Sequence, residues 1–520
     1  MTSSALNRRQ ANPRVLLAYP PLQFAPEETA RPDSSLGIPY LHAAARRAGY
    51  DVDILDMSIG RPGRDSLRET FYRRQQLDGL GQGLARVGMT TERILEEVQP
   101  YSVIGITSIF TQQTSPCLEV ARAIRREYPD KLLIAGGVNA RSLRRVFFDA
   151  GFDVIFGSEA EGSLVTFMGW LSRRQPDALS DVPGIYWRSG DRERGTPAPP
   201  AVRDLDQLPP PSWYALPNES YWEIGEPWGG KAGWLEGQSP RFAPMITSRG
   251  CPFRCSYCHI SKEQRGDEAG FLGRLRLHSL ERVEMELEIL RGLGVDLIYV
   301  NDDSFLAIRN RVLGILRIMQ EHSFTVADVN GVNIRHLFLR DGDGDYRVDR
   351  ELLEEMYDAG FRRIGLPFES GSQRLIDRYS TSKWSLEEHD VLELVSVMAD
   401  MGFTINGNFL VGYPDESLTE LTETFILARN VIEAGMQACG FFVVQPFPGT
   451  ALFEEAVADG QLDIDDLWDV MTWTKVRSTS PYRELSVDKA LLNYSRNLAH
   501  YLLNGEESLS DEWMAAFVQQ

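Results

Sequence analysis

The chain has 520 residues, 43% hydrophobic and 25% charged, ordinary values for a globular protein of two to four domains. Its net charge of −20 argues against a nucleic-acid or anionic-membrane surface, because phosphates are held by clustered Lys and Arg. Five cysteines, three of them within one short motif, do not make a disulfide framework and fit a reducing cytoplasm.

The N-terminus, Met1 to Pro13, is polar with no apolar run behind it. No stretch approaches the length of a membrane span, so neither a signal peptide nor a membrane helix is expected. Residues 14–170 read as alternating strands and helices. Strands are expected at Val15–Tyr19, Val52–Leu55, Val103–Thr107, Leu132–Ala135 and Val154–Phe156, and helices at Gly37–Ala48, Cys117–Glu127 and Leu143–Ala150. The polar stretch Ser66–Val98 also reads as helical. Helical segments of this length between strands imply right-handed crossovers and a doubly wound, Rossmann-like parallel sheet. Ligands of such sheets sit at the carboxyl ends of the strands. That points to Tyr19–Leu22, Asp56–Ser58, Thr107–Thr111, Gly136–Ala140 and Gly157–Gly162, where small residues admit close backbone approach to a large cofactor. Each glycine alone is equally explained by a tight turn. No G-x-G-x-x-G follows the first strand, which argues against a nicotinamide or flavin site.

Residues 191–240 are rich in Pro, Gly and Trp and read as an irregular linker, packed on a neighbour by Trp213, Trp222, Trp228 and Trp234. Immediately after it, Cys251, Cys255 and Cys258 form C-x3-C-x2-C on a turn opened by Gly250 and Pro252. Three cysteines can hold an iron–sulfur cubane with one iron left open, since all-cysteine sites normally use four ligands. A zinc knuckle completed by His259 is the alternative reading. From Met245 the alternation restarts, with strands at Met245–Ser248, Leu297–Val300, Thr325–Gly331, Arg363–Pro367, Thr404–Val411 and Gly440–Gln445. Helices intervene at Leu280–Leu293, Arg309–Glu321, Asp349–Ala359, Gln373–Tyr379, Ser385–Met401 and Ser417–Ala434. About six such units make a partial (β/α)6 barrel rather than a full eight-fold one. Residues 456–520 read as a small helical cap. Asp341–Asp345 lacks the glycine and the glutamate of a calcium loop and reads as a solvated turn.

The cysteine motif after a first strand, followed by a partial barrel, resembles the radical S-adenosylmethionine (SAM) superfamily. The doubly wound domain ahead of it resembles a cobalamin-binding domain, so residues 14–455 are similar to class B, cobalamin-dependent radical SAM methyltransferases. Further marks are Pro367–Ser372, Asn408–Pro414 and Pro446–Thr450. The resemblance implies a cobalamin domain at 1–190, a linker at 191–240, a barrel at 241–455 and a cap at 456–520. It implies that Cys251, Cys255 and Cys258 bind a [4Fe–4S] cluster whose open iron chelates SAM. Tyr257, Asp302, Asp303, Glu369, Ser370 and Asn408 are then the candidate SAM contacts. A buried structural ion pair is the competing reading of Glu369. Asn301-Asp302-Asp303 stands where many members have Gly-Gly-Glu. Thr107, Ser108, Gly136, Gly137 and Gly157 are the candidate cobalamin contacts. No D-x-H-x-x-G motif is present, so this motif supplies no imidazole to cobalt.

By the same resemblance, the reduced cluster cleaves SAM to a 5′-deoxyadenosyl radical, and methylcobalamin methylates the substrate radical. The substrate is expected to be a small precursor in antibiotic biosynthesis, touched by Asn330, Asn333, Arg335 or Gln445. An external flavodoxin- or ferredoxin-like electron donor, a cytoplasmic location and a monomer are expected, with no nucleic-acid or membrane partner. An oxidative rearrangement or cyclisation without methyl transfer is the first alternative. A non-catalytic sensor or a methylthiotransferase are more distant ones.

Overall fold

In a computed structural model, residues 13–504 are described except 25–29, 33, 77–83, 173–177, 226–239, 266–269, 382 and 463–479. The first sheet is built from β1 (Val15–Tyr19), β3 (Val52–Asp56), β6 (Val103–Thr107), β7 (Leu132–Gly136) and β8 (Val154–Phe156), in the order β3-β1-β6-β7-β8 and all parallel. These strands are near-continuous apolar runs because both faces are covered. Val15, Leu17 and Tyr19 enter one buried cluster while Leu16 and Ala18 enter another, as a side-chain period of two requires. The chain winds in opposite directions from β1, which opens a crevice beyond the carboxyl ends of β1 and β6. A side sheet of β2 (Leu22–Phe24), β4 (Arg74–Gln76) and β5 (Ala85–Val87) flanks it.

Two expectations are corrected here. Ser66–Val98 is not one helix. Turns and the strands β4 and β5 occupy most of its described part, and only Thr91–Val98 is helical, started by the Thr90 hydroxyl accepting from Arg93 N. The proposed linker is also more regular than its composition suggests. Arg192–Gly195 forms strand β10 against β9 (Ile185–Ser189), extending the first sheet antiparallel past β8. Asn218–Ile224 is a helix. Trp213 and Trp222 do anchor this segment, their indole N–H groups donating to the carbonyls of Pro244 (2.9 Å) and Phe242 (2.8 Å). Trp228 and Trp234 lie outside the described residues.

The second sheet has six parallel strands in sequence order. They are β11 (Phe242–Met245), β14 (Leu297–Val300), β15 (Thr325–Asp328), β18 (Phe361–Glu369), β19 (Thr404–Val411) and β20 (Ala438–Val443). Its six parallel strands in sequence order match the number of β/α units expected. β11 starts earlier than expected and ends at Met245, because Ser248–Arg249 (β12) pairs with Arg276–Leu277 (β13) instead. The helix expected from Ser385 begins only at Val391, where the Asp390 carboxylate accepts from the N–H groups of Leu392 and Glu393. Asp341–Asp345 is the tip of a hairpin between β16 (Phe338–Arg340) and β17 (Tyr346–Val348).

β20 is an edge strand, and exposed strand edges invite unwanted pairing. The helix Lys489–Asn504 covers it: Asn504 donates to the Cys439 carbonyl (2.9 Å) and accepts from the Cys439 N–H (2.8 Å), and Arg496 donates to the Phe441 carbonyl. Among the described residues, no helix is long and apolar enough to cross a membrane.

Candidate active site

The turn after β12 opens at Gly250, whose φ is 85° and whose Cβ, if present, would lie 2.4 Å from the Arg274 carbonyl. Only glycine fits there. The loop that follows is held by the backbone on every side. Cys251 N donates to the Gly273 carbonyl, Ser256 N to Tyr379, and the Gln264 amide to the carbonyls of Cys251 and Phe253. Cys255 is buried and Cys251 and Cys258 are half-buried; all three are free thiols. Burial pushes the Cys255 thiol up to about 11 and the Cys258 thiol up to about 12. Such thiols ionise at neutral pH only against a strong cationic partner, so the donor set suits a metal centre. Among the described residues, no three His, Cys, Asp or Glu side chains are arranged to hold a single metal ion. That holds for the three cysteines with His259 and for the three cysteines alone, so what bears on the zinc knuckle is where the His259 ring is engaged. His259 Nδ1 instead lies 3.2 Å from Glu263 Oε1, an ion-pair approach rather than an aligned hydrogen bond.

The two aspartates after β14 are placed differently. Asp302 is buried, and its oxygens accept from Thr247 N (2.7 Å), the Thr247 hydroxyl (2.7 Å) and the Ser248 hydroxyl. It ties the start of the cysteine loop to β14 and does not face the site. Burial raises its pKa to about 6 despite those hydrogen bonds. Asp303 accepts from Gly250 N (2.8 Å), yet its carboxylate remains accessible although it lies deep among protein groups. At the end of β18, Glu369 is buried with φ of 66°, a strained backbone for a residue with a Cβ. It pairs with Lys383 at 3.0 Å, as the structural reading anticipated. Burial opposes the charge on Lys383, but Glu369 and the nearby cysteines raise its pKa.

Ser370 is fully buried and bonds the Thr424 hydroxyl, away from the cysteines. Asn408 is half-buried on β19 and shares a face with Leu410. Tyr257 bonds the Ser380 hydroxyl at 2.8 Å. Of the four residues expected near a substrate, Asn330 is spent on the carbonyls of Asn301 and Asp302, and Asn333 caps a short turn. Arg335 is exposed beside Tyr346, and only Gln445 lines the cavity described next.

A cavity of about 540 Å³ lies between the cysteine loop and the first sheet, lined by Tyr257, Cys258, His259, Leu410, Gln445 and Thr450 on one side and Ile109, Thr111 and Gln112 on the other. A second, of about 290 Å³, runs along the strand ends of the first sheet. Thr107, Gly136 and Gly137 line it with Gly105, Tyr40 and Arg249, and Ile109 belongs to both cavities. A Cβ on Gly136 would meet only an ordinary van der Waals contact, Phe156 Cβ at 3.9 Å. This mostly apolar, glycine-bordered cradle fits part of a large planar cofactor. Ser108 and Gly157 do not line it. Ser108 accepts from the Asn139 amide at 2.9 Å, and Gly157 makes room for the Tyr186 ring, 2.5 Å from where a Cβ would stand.

Buried ion pairs join the two sheets at these cavities. Glu159 pairs with Arg276 and with Arg249 (3.3 Å), and Glu161 with Arg249 (2.8 Å), directly before the cysteine turn. Burial opposes ionisation of Glu159, but the two arginines hold its pKa below the usual range. Arg141 pairs with Glu263, which also faces His259; despite burial, His259 and Arg141 bring Glu263 down to about 2. Removing one partner of a buried pair strands the other. Glu263→Gln is therefore expected to cost about 3–5 kcal/mol in urea unfolding of the metal-free protein. Because the carboxyl is depressed from 4.5, its contribution is complete above that pH and fades as pH falls toward about 2. The variant should accordingly lose less stability on acidification than the parent.

The fold and this loop define a class. Residues 245–428 match the radical SAM superfamily, whose members use a [4Fe–4S] cluster and SAM, and this part of the chain is a radical SAM domain. More particular relatives extend over most of the chain. Cytidylyl-2-hydroxyethylphosphonate methyltransferase of Streptomyces wedmorensis is 26% identical over 498 residues, covering 88% of this chain and 84% of that one. Anaerobic magnesium-protoporphyrin IX monomethyl ester cyclase of Cereibacter sphaeroides is 25% identical, covering 85% of this chain and 63% of its own. The fold resembles TsrM of Kitasatospora setae, a radical SAM methyltransferase solved with cobalamin and a [4Fe–4S] cluster. Its TM-score is 0.62 at 16% identity, over 86% of this chain and 78% of that one.

Proposed function

We propose that this protein is a cobalamin-dependent radical SAM methyltransferase, moving a methyl group from SAM by way of cobalamin to an unactivated carbon or phosphorus of a small natural-product precursor. The supporting observation is that the cavity bordered by Cys258 and the glycine-bordered cavity of the first sheet adjoin at Ile109. The names of the relatives, methyltransferases among them, point the same way. When bound, the cluster and SAM supply a carbon-centred radical, and cobalamin supplies the methyl group.

In this reading Cys251, Cys255 and Cys258 hold the cluster, and Tyr257, Asp303, Glu369 and Asn408 contact SAM. Asp302 and Ser370 position that shell from behind. Thr107, Gly136 and Gly137 receive cobalamin, while Ser108, Asn139 and Gly157 shape the strand ends. Phe447 and Thr111 line the cavity beside Cys258, whose mostly apolar walls suit a site that limits water around reactive species. The cobalamin unit extends to residue 195, the barrel spans 241–455 and the C-terminal segment caps it. A monomer in the cytoplasm, served by an external one-electron donor, completes the proposal.

The named cyclase among the relatives favours a second reading, rearrangement without methyl transfer. Anaerobic incubation of the reconstituted protein with SAM, methylcobalamin, reductant and candidate precursors separates the two. Methylation yields S-adenosylhomocysteine together with 5′-deoxyadenosine and a product heavier by one methyl group. A product without that mass gain supports the cyclase reading, and absence of cobalamin binding overturns both.

A further inference from the structure

We infer that the cavity beside Cys258 selects an uncharged, mostly apolar substrate, and that Thr111 and Gln112 read its one polar edge. The inference rests on the proposed methyl transfer and narrows its acceptor to carbon. The cavity, of about 540 Å³, is walled largely by rings and aliphatic side chains, Phe110, Phe442, Phe447, Leu410 and Val444 among them. Among the described residues that line it, none is Asp, Glu, Lys or Arg. An ionised group taken into such a space loses its hydration and gains no counter-charge. The chain's net charge of −20 adds to the penalty for an anion. The buried arginines between the two sheets do not relieve it, since Arg141 is paired with Glu263 and Arg249 with Glu161.

Most polar groups on the walls are already engaged. The Thr450 hydroxyl donates to the Phe447 carbonyl (2.7 Å) and accepts from Phe453 N (3.1 Å). Tyr257 bonds the Ser380 hydroxyl, His259 faces Glu263 at 3.2 Å, and Gln445 has a partner of its own. Thr111 and Gln112 differ. They begin the short turn Thr111–Gln113 beyond β6 and are buried, with 6% and 8% exposure. Neither side chain makes a hydrogen bond among the described residues, and neither polar end is sealed off from open space. Gln112 also borders a void of about 10 Å³ beside Leu22, room for no more than one water. Gln113 provides the contrast. Its Oε1 accepts from Ile109 N (3.0 Å) and Phe110 N (3.2 Å), which fixes the loop that carries the other two.

A hydroxyl and a primary amide each donate and accept. Side by side on a fixed turn, they match a neutral group that does both, such as a carboxamide, a lactam or an alcohol. A site built to bond such a group rejects analogues lacking it far more strongly than analogues lacking a methyl group, because its own buried amide is then left unpaired. A phosphorus acid, ionised at neutral pH, finds no counter-charge on these walls.

The test uses holoenzyme reconstituted with the cluster, hydroxocobalamin and SAM, titrated by ligand-observed NMR with matched pairs. These are benzamide against benzoate and cyclohexanecarboxamide against cyclohexanecarboxylate, with phenylphosphonate as a further anion. The parent is expected to bind each carboxamide at least about tenfold more tightly than its paired acid. Gln112→Leu should weaken carboxamide binding about tenfold, the scale of one hydrogen bond, and the near-isosteric Thr111→Val roughly threefold, with cobalamin content and SAM binding retained. Gln112→Lys should reverse the order in favour of the carboxylates, a change that loss of a merely structural glutamine would not produce. Acids or phenylphosphonate bound as tightly as the carboxamides, no carboxamide binding, or an order unmoved in all three variants would overturn the inference. So would a Gln112→Leu protein that loses cobalamin or SAM but keeps carboxamide binding, since the amide would then serve a cofactor. If the parent takes up no cobalamin and cleaves no SAM, the proposed methyl transfer falls, and the carboxamide preference of the same preparation still decides what the cavity accepts.

Discussion

Cys255→Ala protein is expected to lose reductive SAM cleavage by roughly a thousandfold or more, the scale of removing one member of a group that acts as a unit. Cys255 is the one of the three whose residue surface is buried, and burial, with smaller contributions from Glu369 and Cys251, raises its thiol to about 11, so it is a neutral thiol unless a cationic centre binds it. Its replacement leaves two ligands on a loop whose backbone bonds stay intact: Ser256 still reaches Tyr379, and Cys251 still reaches Gly273. The loss should therefore appear as reduced iron and sulfide and an absent cluster EPR signal, with little change in apo-protein melting. Cys117→Ala and Cys439→Ala, at buried positions in the first sheet's helix layer and on β20, should retain the cluster. SAM cleavage by the Cys255 variant at the parent rate would refute the assignment of the motif.

Filling the strand-end cavity should separate the two cofactors. Gly136→Leu is expected to weaken cobalamin binding by about a hundredfold, close to 3 kcal/mol, the upper range of overpacking costs. The side chain would leave the backbone without a clash at Cβ, at a position that lines the cavity and where φ demands no glycine, so the sheet should stand. SAM cleavage to 5′-deoxyadenosine should persist, because the cysteine loop is on the other sheet, while methylated product disappears. Undiminished cobalamin content in the purified variant would show that this cavity is not the cobalamin site. Gly105→Leu would be a poorer probe. Its Cβ would already lie 2.9 Å from Leu17, so strain in the sheet would confuse the result.

Strand identity was legible wherever apolar, β-branched runs were bounded by turns: Leu297–Val300 and Thr404–Val411 lie where expected. That Thr107, Gly136 and Gly137 would border a cavity was legible for a related reason, since topology opens a crevice at the strand ends. Legibility failed where a residue's fate depends on partners distant in sequence. Asp302 and Asp303 are adjacent and chemically identical. Thr247 and Ser248, more than fifty positions earlier, capture the first and leave the second open. Gly136 ends one strand and Gly157 follows another, but only the placement of Tyr186 tells a packing glycine from a cavity glycine. The pairs Glu159–Arg276 and Arg141–Glu263 span 117 and 122 positions, so no local pattern announces them. Ser66–Val98 misled because polar composition is shared by helices, turns and edge strands, and here the antiparallel pairing of β4 with β5 prevailed.

The covered flanks of the open barrel bear on how such enzymes can be recombined. One flank, β11, receives indole donors from Trp213 and Trp222, and the other, β20, is covered through Asn504 and Arg496. Neither guard belongs to the six β/α units themselves. A chimera that exchanges only those units between relatives would transplant two unguarded strands into loops shaped for other sequences. The portable module is therefore larger than the catalytic one: it begins upstream of the barrel near Trp213 and ends at the helix closing on Asn504.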